Sequence, residues 1–301
     1  MSAVVFHEFG GPEVLRLEEV PEVHPGPGQV RVAVRASSVN PLDWKVRAGF
    51  MAQGKPLDGM GTVGFDAAGV VDEIGEGVTD VAVGDDVFGL GSGTAADQAV
   101  LEVWAAKPAS VDWAVAAAAG VAGETAIRAL DLVGVGPGTS VLVDGGAGGV
   151  GAVVVQVALA RGARVIATAG ADNQDYLREI GATPLRYGDG LAERVREIAP
   201  DGVDAVVDIA GKTAPAVLVG LVPAASQVVT IANFGAGEAG VQVTAGRSPR
   251  ALEALETIGG LLAEGKLVIK VQTFPFARAT EAHRISEGGH VRGKLVLIPE
   301  G

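Results

Sequence analysis

The chain has 301 residues, 48% of them hydrophobic, and a formal net charge of −13. That length predicts one or two domains at roughly 150 residues each, and the negative balance argues against nucleic acid or an anionic membrane as partner. Cysteine is absent, which excludes disulfides, thiolate zinc sites and cysteine nucleophiles.

The opening Met1-Ser-Ala-Val-Val-Phe-His-Glu lacks a basic region followed by an apolar core, so no signal peptide is expected. No apolar window of ~20 residues free of glycine and charge occurs, so no membrane span is expected, and the cytoplasm is the expected location. Up to about residue 120 the pattern is β-rich. Val4-Val-Phe, Leu15-Arg-Leu and Val30-Arg-Val-Ala-Val-Arg35 are apolar or alternating, and Pro25-Gly-Pro-Gly28 is a turn. Ser110 to Gly120 reads as an alanine-rich helix with Asp112 near its start. Glu124 to Val133 reads as a second helix, ended by Gly134-Val-Gly-Pro-Gly138.

From about residue 139 strands and helices alternate. Strands are expected at Ser140–Val143, Arg164–Thr168, Thr183–Arg186, Ala205–Ile209 and Val228–Ile231. Their runs are apolar without alternation, as in parallel strands buried on both faces. Helices are expected at Val150–Arg161, Asp172–Ile180, Leu191–Ile198 and Ala214–Leu221. The pattern is that of a doubly wound parallel sheet in an α/β protein. Ala251–Glu264 and Ala277–Glu287 read as further helices, with strands at Val268–Phe274 and Lys294–Ile298. The tail is expected to rejoin the N-terminal β-rich part. That gives one domain from 1–120 plus 268–301, with a nucleotide domain, 121–267, inserted between.

The densest signal is Val141-Leu-Val-Asp-Gly-Gly-Ala-Gly-Gly-Val-Gly151. A β-branched strand runs into a glycine cluster that opens an apolar helix. Gly146, Gly148 and Gly151 form G-x-G-x-x-G. The first glycine makes the tight turn, the second admits a pyrophosphate to the backbone, and the third lets helix and strand pack closely. Free N–H groups at the helix start favour phosphate. Gly146, Ala147, Gly148, Gly149, Val150 and Gly151 are therefore the expected phosphate-binding loop.

These features together resemble the medium-chain dehydrogenase/reductase superfamily, in its zinc-free quinone oxidoreductase branch. The resemblance rests on Phe9-Gly-Gly-Pro-Glu-Val-Leu15, Val39-Asn-Pro-Leu-Asp-Trp-Lys-Val-Arg-Ala-Gly49 and Gly64-Phe-Asp-Ala-Ala-Gly-Val-Val-Asp-Glu-Ile-Gly75. It extends through Val83-Gly-Asp-Asp-Val-Phe-Gly89, Ala122-Gly-Glu-Thr-Ala126, Asp144 to Gln156, and Arg292-Gly-Lys-Leu-Val-Leu297. It implies a GroES-like β-rich catalytic domain joined to a Rossmann domain, and a homodimer formed through the edge of the nucleotide-domain sheet. The candidate edge is the region around Ala225–Ile231 and Gly240–Thr244, where Val241-Gln-Val-Thr244 alternates.

Zinc members carry a cysteine and a Gly-His-Glu motif. Here Gly64-Phe-Asp66 stands in that place. His7, His24, His283 and His290 show no ligand spacing except in the last pair, which reads as a helix residue and an exposed loop residue, so no metal is expected. Hydride transfer to a conjugated acceptor remains feasible without a Lewis acid. The resemblance implies NADPH-dependent reduction of a quinone or an α,β-unsaturated carbonyl. Rival readings are an enoyl reductase acting on a bulky natural product and a redox-inactive NADPH-binding protein.

The second nucleotide-domain strand ends Ala167-Thr168-Ala169-Gly170 without a carboxylate, which favours NADPH over NADH. Thr168, Asn173, Arg178 and Tyr187 are the candidates around the adenosine end. The resemblance places Thr125 and the backbone at Ile231–Phe234 against the nicotinamide, and assigns Lys294 to the cofactor. It places Asn40, Asp43, Lys45 and Phe50 on the acceptor side, with Phe50 where many relatives have tyrosine. Ala95 and Gln98 also replace tyrosines, which implies a wider, more apolar pocket. Without the resemblance, Asn40 before Pro41 reads as a turn initiator, and Asp43 with Lys45 as a solvated pair at a helix start. Asp208 then reads as a cap for the turn at Gly211, and Phe234 as core.

Overall fold

The computed structural model describes residues 1–289 and 291–300. The chain divides into two compact units. The first comprises Met1–Val121, Arg250–Gly265 and the chain from Ile269 on; the second comprises Ala122–Pro249 with Lys266–Val268.

The first unit opens with β1 (Ser2–Phe6), β2 (Arg16–Glu19), β3 (Val30–Val39), α1 (Pro41–Arg47) and β4 (Gly61–Thr62). It continues with β5 (Asp66–Ile74), β6 (Asp86–Gly91), β7 (Gln98–Ala106) and the start of α2 (Trp113–Leu132). β3 pairs antiparallel with both β5 and β7, and β6 joins those two, so the four strands close into a barrel. Val30, Val32 and Val34 point from β3 into its core, against Val71, Val87 and Leu101. The alternation seen in the sequence is this inward and outward pleat.

The expected pair of helices between Ser110 and Val133 is one helix. Gly120 reads as a terminator but lies inside α2, where an added Cβ would sit 2.7 Å from the Asp66 Cβ. It is glycine because the helix passes close to β5.

The second unit holds β8 (Ser140–Asp144), α3 (Gly149–Ala160), β9 (Arg164–Ala169), α4 (Gln174–Glu179), β10 (Thr183–Arg186) and α5 (Leu191–Ile198). β11 (Ala205–Asp208), α6 (Pro215–Val219), β12 (Val228–Thr230) and β13 (Gln242–Val243) complete it. All strand pairs are parallel, in the order β10-β9-β8-β11-β12-β13. This doubly wound order places the sheet's reversal beside β8, where such folds bind nucleotides at the strands' carboxyl ends. β13 is an edge strand of this sheet.

After β13 come α7 (Ala251–Ala263), β14 (Val271–Pro275), α8 (Ala279–Glu287) and β15 (Lys294–Ile298). α7 groups with the first unit, not with residues 121–267 as the sequence boundary has it. Its Gly259 lies against the Phe88 ring, which an added Cβ would meet at 3.6 Å. β15 then pairs with β3, and β14 with β15. The strand expected from Val268 starts only at Val271. Val268 is held instead by Gln156 of α3, whose side-chain amide accepts from the Val268 N–H at 2.9 Å and donates to its carbonyl at 3.0 Å.

Candidate cofactor and acceptor sites

The glycine loop leaves β8 at Asp144, and Gly145 takes a left-handed φ of +93°. The Gly146 N–H donates to the Thr168 carbonyl at 2.9 Å, which ties the loop to β9. A Cβ on Gly146 would lie 2.7 Å from the Ala167 Cβ, and one on Gly151 would lie 2.1 Å from the Gly145 carbonyl oxygen. Those two glycines serve close packing. Gly148 does not: only the Gly145 oxygen lies near its Cβ position, at 3.8 Å, and its φ of −76° suits any residue. Gly148 is the N-cap of α3, and no side chain caps that helix. Gly149, Val150 and Gly151 form its first turn, so their N–H groups have no partner within the helix. Ala147 is buried beneath the loop. This is a backbone cradle at a helix N-terminus, kept open at Gly148, and it fits a pyrophosphate.

Thr168 is not presented to a ligand, contrary to the sequence reading. It is fully buried; its hydroxyl donates to Asp144 and accepts from the Gly145 N–H at 2.9 Å. Thr213 donates to the other Asp144 oxygen at 2.6 Å. The chain turns outward only after Ala169, at Gly170. Gln174 holds that turn by donating to the carbonyls of Ala169 (2.9 Å), Gly170 (3.1 Å) and Leu185 (3.1 Å). The exposed Tyr187 hydroxyl lies 3.5 Å from where a Gly170 Cβ would sit. Asn173 is the last residue before α4. Arg178 is exposed on α4 and pairs with Asp175.

Asp208 ends β11 beside Asp144 in register. It accepts from the Gly211 N–H at 2.7 Å, as the cap reading expects, and from the Thr230 hydroxyl at 2.7 Å. Burial pushes the Asp208 carboxyl above its ordinary range, and the neighbouring Asp144 charge pushes the same way. Thr230 in turn accepts from the N–H groups of Ala232 (3.2 Å) and Asn233 (3.1 Å). The Ile231–Phe234 segment is therefore pinned by Thr230, a residue that no motif singles out. Phe234 itself is 59% exposed and not core. Thr125 lies on α2 beside the ion pair of buried Glu124 with half-buried Arg128, with its hydroxyl 3.4 Å from the Arg128 guanidinium.

The acceptor candidates in the first unit fall into two sets. Asn40 and Asp43 are buried and form a reciprocal capping box at the start of α1. The Asp43 carboxylate accepts from the N–H of Asn40 at 2.6 Å and of Gly64 at 2.5 Å. Asp43 is thus neither a solvated partner of Lys45 nor an exposed acid. Lys294, assigned to the cofactor from the resemblance, is buried in the same cluster, where its ammonium donates to the Asn40 carbonyl oxygen at 2.5 Å. Asp66 completes the group, accepting from Ser38 (2.6 Å), Asn40 (2.9 Å) and the Val121 N–H (2.7 Å). Burial pushes the Asp43 carboxyl up to about 7, raises Asp66, and lowers Lys294 against the pull of both carboxylates. Lys45 and Phe50 form the second set. Lys45 is half-buried with its ammonium 5.6 Å from the Trp44 ring centre; Phe50 is 70% exposed, edge-on to Trp44 at 6.1 Å. Ala95 is packed into the barrel core, so it widens no pocket.

Metal ligation finds no donor set among the described residues: no three His, Asp or Glu side chains are grouped to hold an ion. Both Asp66 oxygens are engaged by protein donors. His7 pairs with Glu18 and His24 with Glu73 on the surface, and His283 is buried beside Arg47. His290 lies outside the described residues. No described helix is long and apolar enough to cross a membrane.

Residues 26–127 match the alcohol dehydrogenase GroES-like domain, and residues 180–297 match a family described as zinc-binding dehydrogenase. The chain is 34% identical to the chloroplastic NADPH-dependent alkenal/one oxidoreductase of Arabidopsis thaliana, over 99% of this chain and 80% of the relative. It belongs to the medium-chain dehydrogenase/reductase superfamily. Among solved members, the quinone oxidoreductase from Coxiella burnetii superposes with a TM-score of 0.85 at 30% identity, over 99% of each chain. A mycobacterial protein solved with NADPH superposes with a TM-score of 0.86 at 28% identity, over 99% of this chain and 100% of that one. The GroES-like and Rossmann architecture expected from the sequence is that of this superfamily, whose β-rich and nucleotide parts correspond to the barrel and the parallel sheet. One of the two matching families is described as zinc-binding, while among the described residues no three potential ligands are grouped.

Proposed function

We propose that this protein is a zinc-independent, NADPH-dependent reductase of quinones and α,β-unsaturated carbonyls. The observation that carries the reading is the open cradle at Gly148, joined to a strand end at Ala169–Gly170 that bears no carboxylate. The named activities of the alkenal/one and quinone oxidoreductases support the acceptor class, and the mycobacterial NADPH complex supports the cofactor.

In this reading the second unit is the nucleotide domain and the first the catalytic domain. The loop Gly146–Gly151 holds the pyrophosphate by backbone N–H groups and helix polarity. Tyr187, Arg178 and Asn173 stand around the adenosine end, and Thr125 with Ile231–Phe234 serves the nicotinamide end. NADPH, when bound, supplies a hydride. The acceptor takes that hydride at a ring carbon or β carbon and a proton at oxygen or the α carbon, a two-electron reduction. Phe50 and Lys45 meet the acceptor; Asn40, Asp43 and Lys294 act behind them by fixing the turn between β3 and α1. Water or Lys45 delivers the proton. The protein works in the cytoplasm as a homodimer joined through the β13 edge.

The test is NADPH oxidation over a panel of quinones, alkenals and aryl enones, with and without a chelator. Turnover that persists under chelation is expected. Loss of turnover with removal of stoichiometric zinc overturns the zinc-independent reading, and absence of turnover on the whole panel overturns the enzyme reading.

A further inference from the structure

Beside α1 the first unit carries an open pocket of about 450 Å³. Its floor is the Phe6 and Phe9 rings, 6.2 Å apart, and its walls include Val46, Met51, Met60 and Phe65. The floor is fixed by glycine. A Cβ on Gly61 would stand 2.2 Å from the Phe6 ring, and one on Gly49 would stand 3.0 Å from Phe9. The outer wall is adaptable. The chain has three methionines including Met1, and both others lie here, 60% and 40% exposed. Unbranched thioether side chains reshape around apolar ligands. With Phe50 they make three exposed large apolar side chains within Phe50–Met60.

The lining carries no charged side chain. That excludes a phosphorylated or anionic ligand, which would be desolvated without a partner. The volume falls within the range of about 300–1,000 Å³ seen for small-molecule sites. The lining neighbours the acceptor candidates in the chain: Met51 follows Phe50 and Val46 follows Lys45, while Phe65 stands where zinc members carry histidine.

We infer that this cavity is a subsite for the apolar tail of the acceptor, so that the preferred substrates are quinones or alkenals bearing a linear hydrocarbon chain. The inference rests on the proposed reductase activity for its reacting end, but the tail site stands on the cavity alone.

Two measurements separate the claims. The first is kcat/KM with NADPH for a series of alkenals from crotonaldehyde to decenal. Burial of each methylene is expected to raise it about two- to fourfold. The second is titration calorimetry with unreactive n-alkanols from butanol to decanol, expected to show affinity rising by a similar factor per carbon. Ala52→Trp and Ser92→Trp fill the cavity from two different segments, and Ser92 is exposed, so a folding failure in one leaves the other. In each folded variant the gradient with chain length is expected to collapse. A flat series in the unsubstituted protein, or a gradient that survives both tryptophans, overturns the tail site. If no alkenal is reduced yet decanol binds more tightly than butanol and the tryptophans abolish this, the reductase reading fails and the tail site stands.

Discussion

Gly148 and Gly151, three residues apart in one loop, are glycine for opposite reasons. At Gly151 a Cβ would overlap the Gly145 carbonyl oxygen at 2.1 Å; at Gly148 it would meet only that oxygen, at 3.8 Å. The protein's own packing needs one glycine, and the space over the other is left for something else.

Two substitutions are therefore expected to part. Gly148→Val should fold, costing no more than about 1 kcal/mol through the weaker cap, while NADPH affinity falls at least about tenfold, roughly 1.4 kcal/mol. Gly151→Ala should cost about 1–3 kcal/mol or more in stability from overpacking against backbone. Thermal melts and calorimetric titration distinguish them. Unchanged NADPH binding by folded Gly148→Val would remove the loop as the phosphate site.

The end of β9 sets the choice between cofactors. Gly170 has extended dihedrals, φ −65° and ψ 168°, and an added side chain first meets the Tyr187 hydroxyl at 3.5 Å. NADPH should bind the unsubstituted protein more tightly than NADH. Gly170→Asp places a carboxylate where a ribose diol is accepted and a 2′-phosphate is repelled. The affinity ratio should move toward NADH by about tenfold or more, an electrostatic change of roughly 1.4 kcal/mol. Equal NADH and NADPH affinity before substitution would count against the cofactor reading.

Thr168 offers the complementary test. Its hydroxyl is spent on Asp144 and Gly145 inside the sheet. Thr168→Val should leave the NADPH to NADH ratio within about twofold and cost about 1–3 kcal/mol, because the Gly145 N–H and one Asp144 oxygen lose their partner in the interior. Denaturant titration reads the cost. A large change in the ratio without loss of stability would return Thr168 to the cofactor surface.

The contrast shows what a sequence discloses. The glycine loop was legible because its three glycines recur at a fixed short spacing between a strand and a helix, even though Gly146 packs against Ala167 of β9. The strand order was legible because buried parallel strands and crossover helices alternate with fixed periods. Lys294 was not, because its partner Asn40 lies 254 residues away and nothing near Lys294 signals burial. Asp43 read as a surface charge for the same reason: the Gly64 N–H that engages it comes from another segment. Gly120 misled in the other direction. A glycine in an alanine-rich run reads as a stop, yet here it marks the close approach of α2 to Asp66.

His283 gives stability a dependence on pH. Its Nδ1 lies 3.3 Å from the Arg47 guanidinium and accepts from it, so the ring proton sits on Nε2, which is buried without a partner among the described residues. Burial, and then the Arg47 charge, hold its pKa down to about 3. An unfolded histidine titrates near ~6.5. Between those values the unfolded chain binds one more proton than the folded one, so stability is complete above about pH 6.5 and declines as pH falls toward 3. The loss should reach the order of a few kcal/mol at about 1.4 kcal/mol per pH unit. His283→Gln keeps an acceptor for Arg47 but cannot titrate. Urea denaturation near pH 4.5 and pH 7.5 should show a smaller difference in this variant than in the parent. An equal difference in both would place the pH dependence elsewhere.

Phe50 bears on the chemistry of protonation. It stands exposed and edge-on to Trp44, its ring unable to give up a proton, where many superfamily members have tyrosine. After hydride arrives, a quinone becomes a ring-stabilised hydroquinone anion that water protonates readily. An enone becomes a more basic enolate, which gains more from a positioned acid. Quinone turnover should accordingly exceed that of unactivated enones. Phe50→Tyr adds a hydroxyl at an exposed edge and should leave stability within about 0.5 kcal/mol. It should raise kcat for an enone more than for a quinone, within the range of about 10- to 100-fold at the low end of general-acid effects. Steady-state kinetics on one quinone and one enone, with both proteins, reads the difference. Vigorous enone reduction by the parent, with no response to the tyrosine, would mean that the proton comes from another group, and Lys45→Met then becomes the substitution that should slow it.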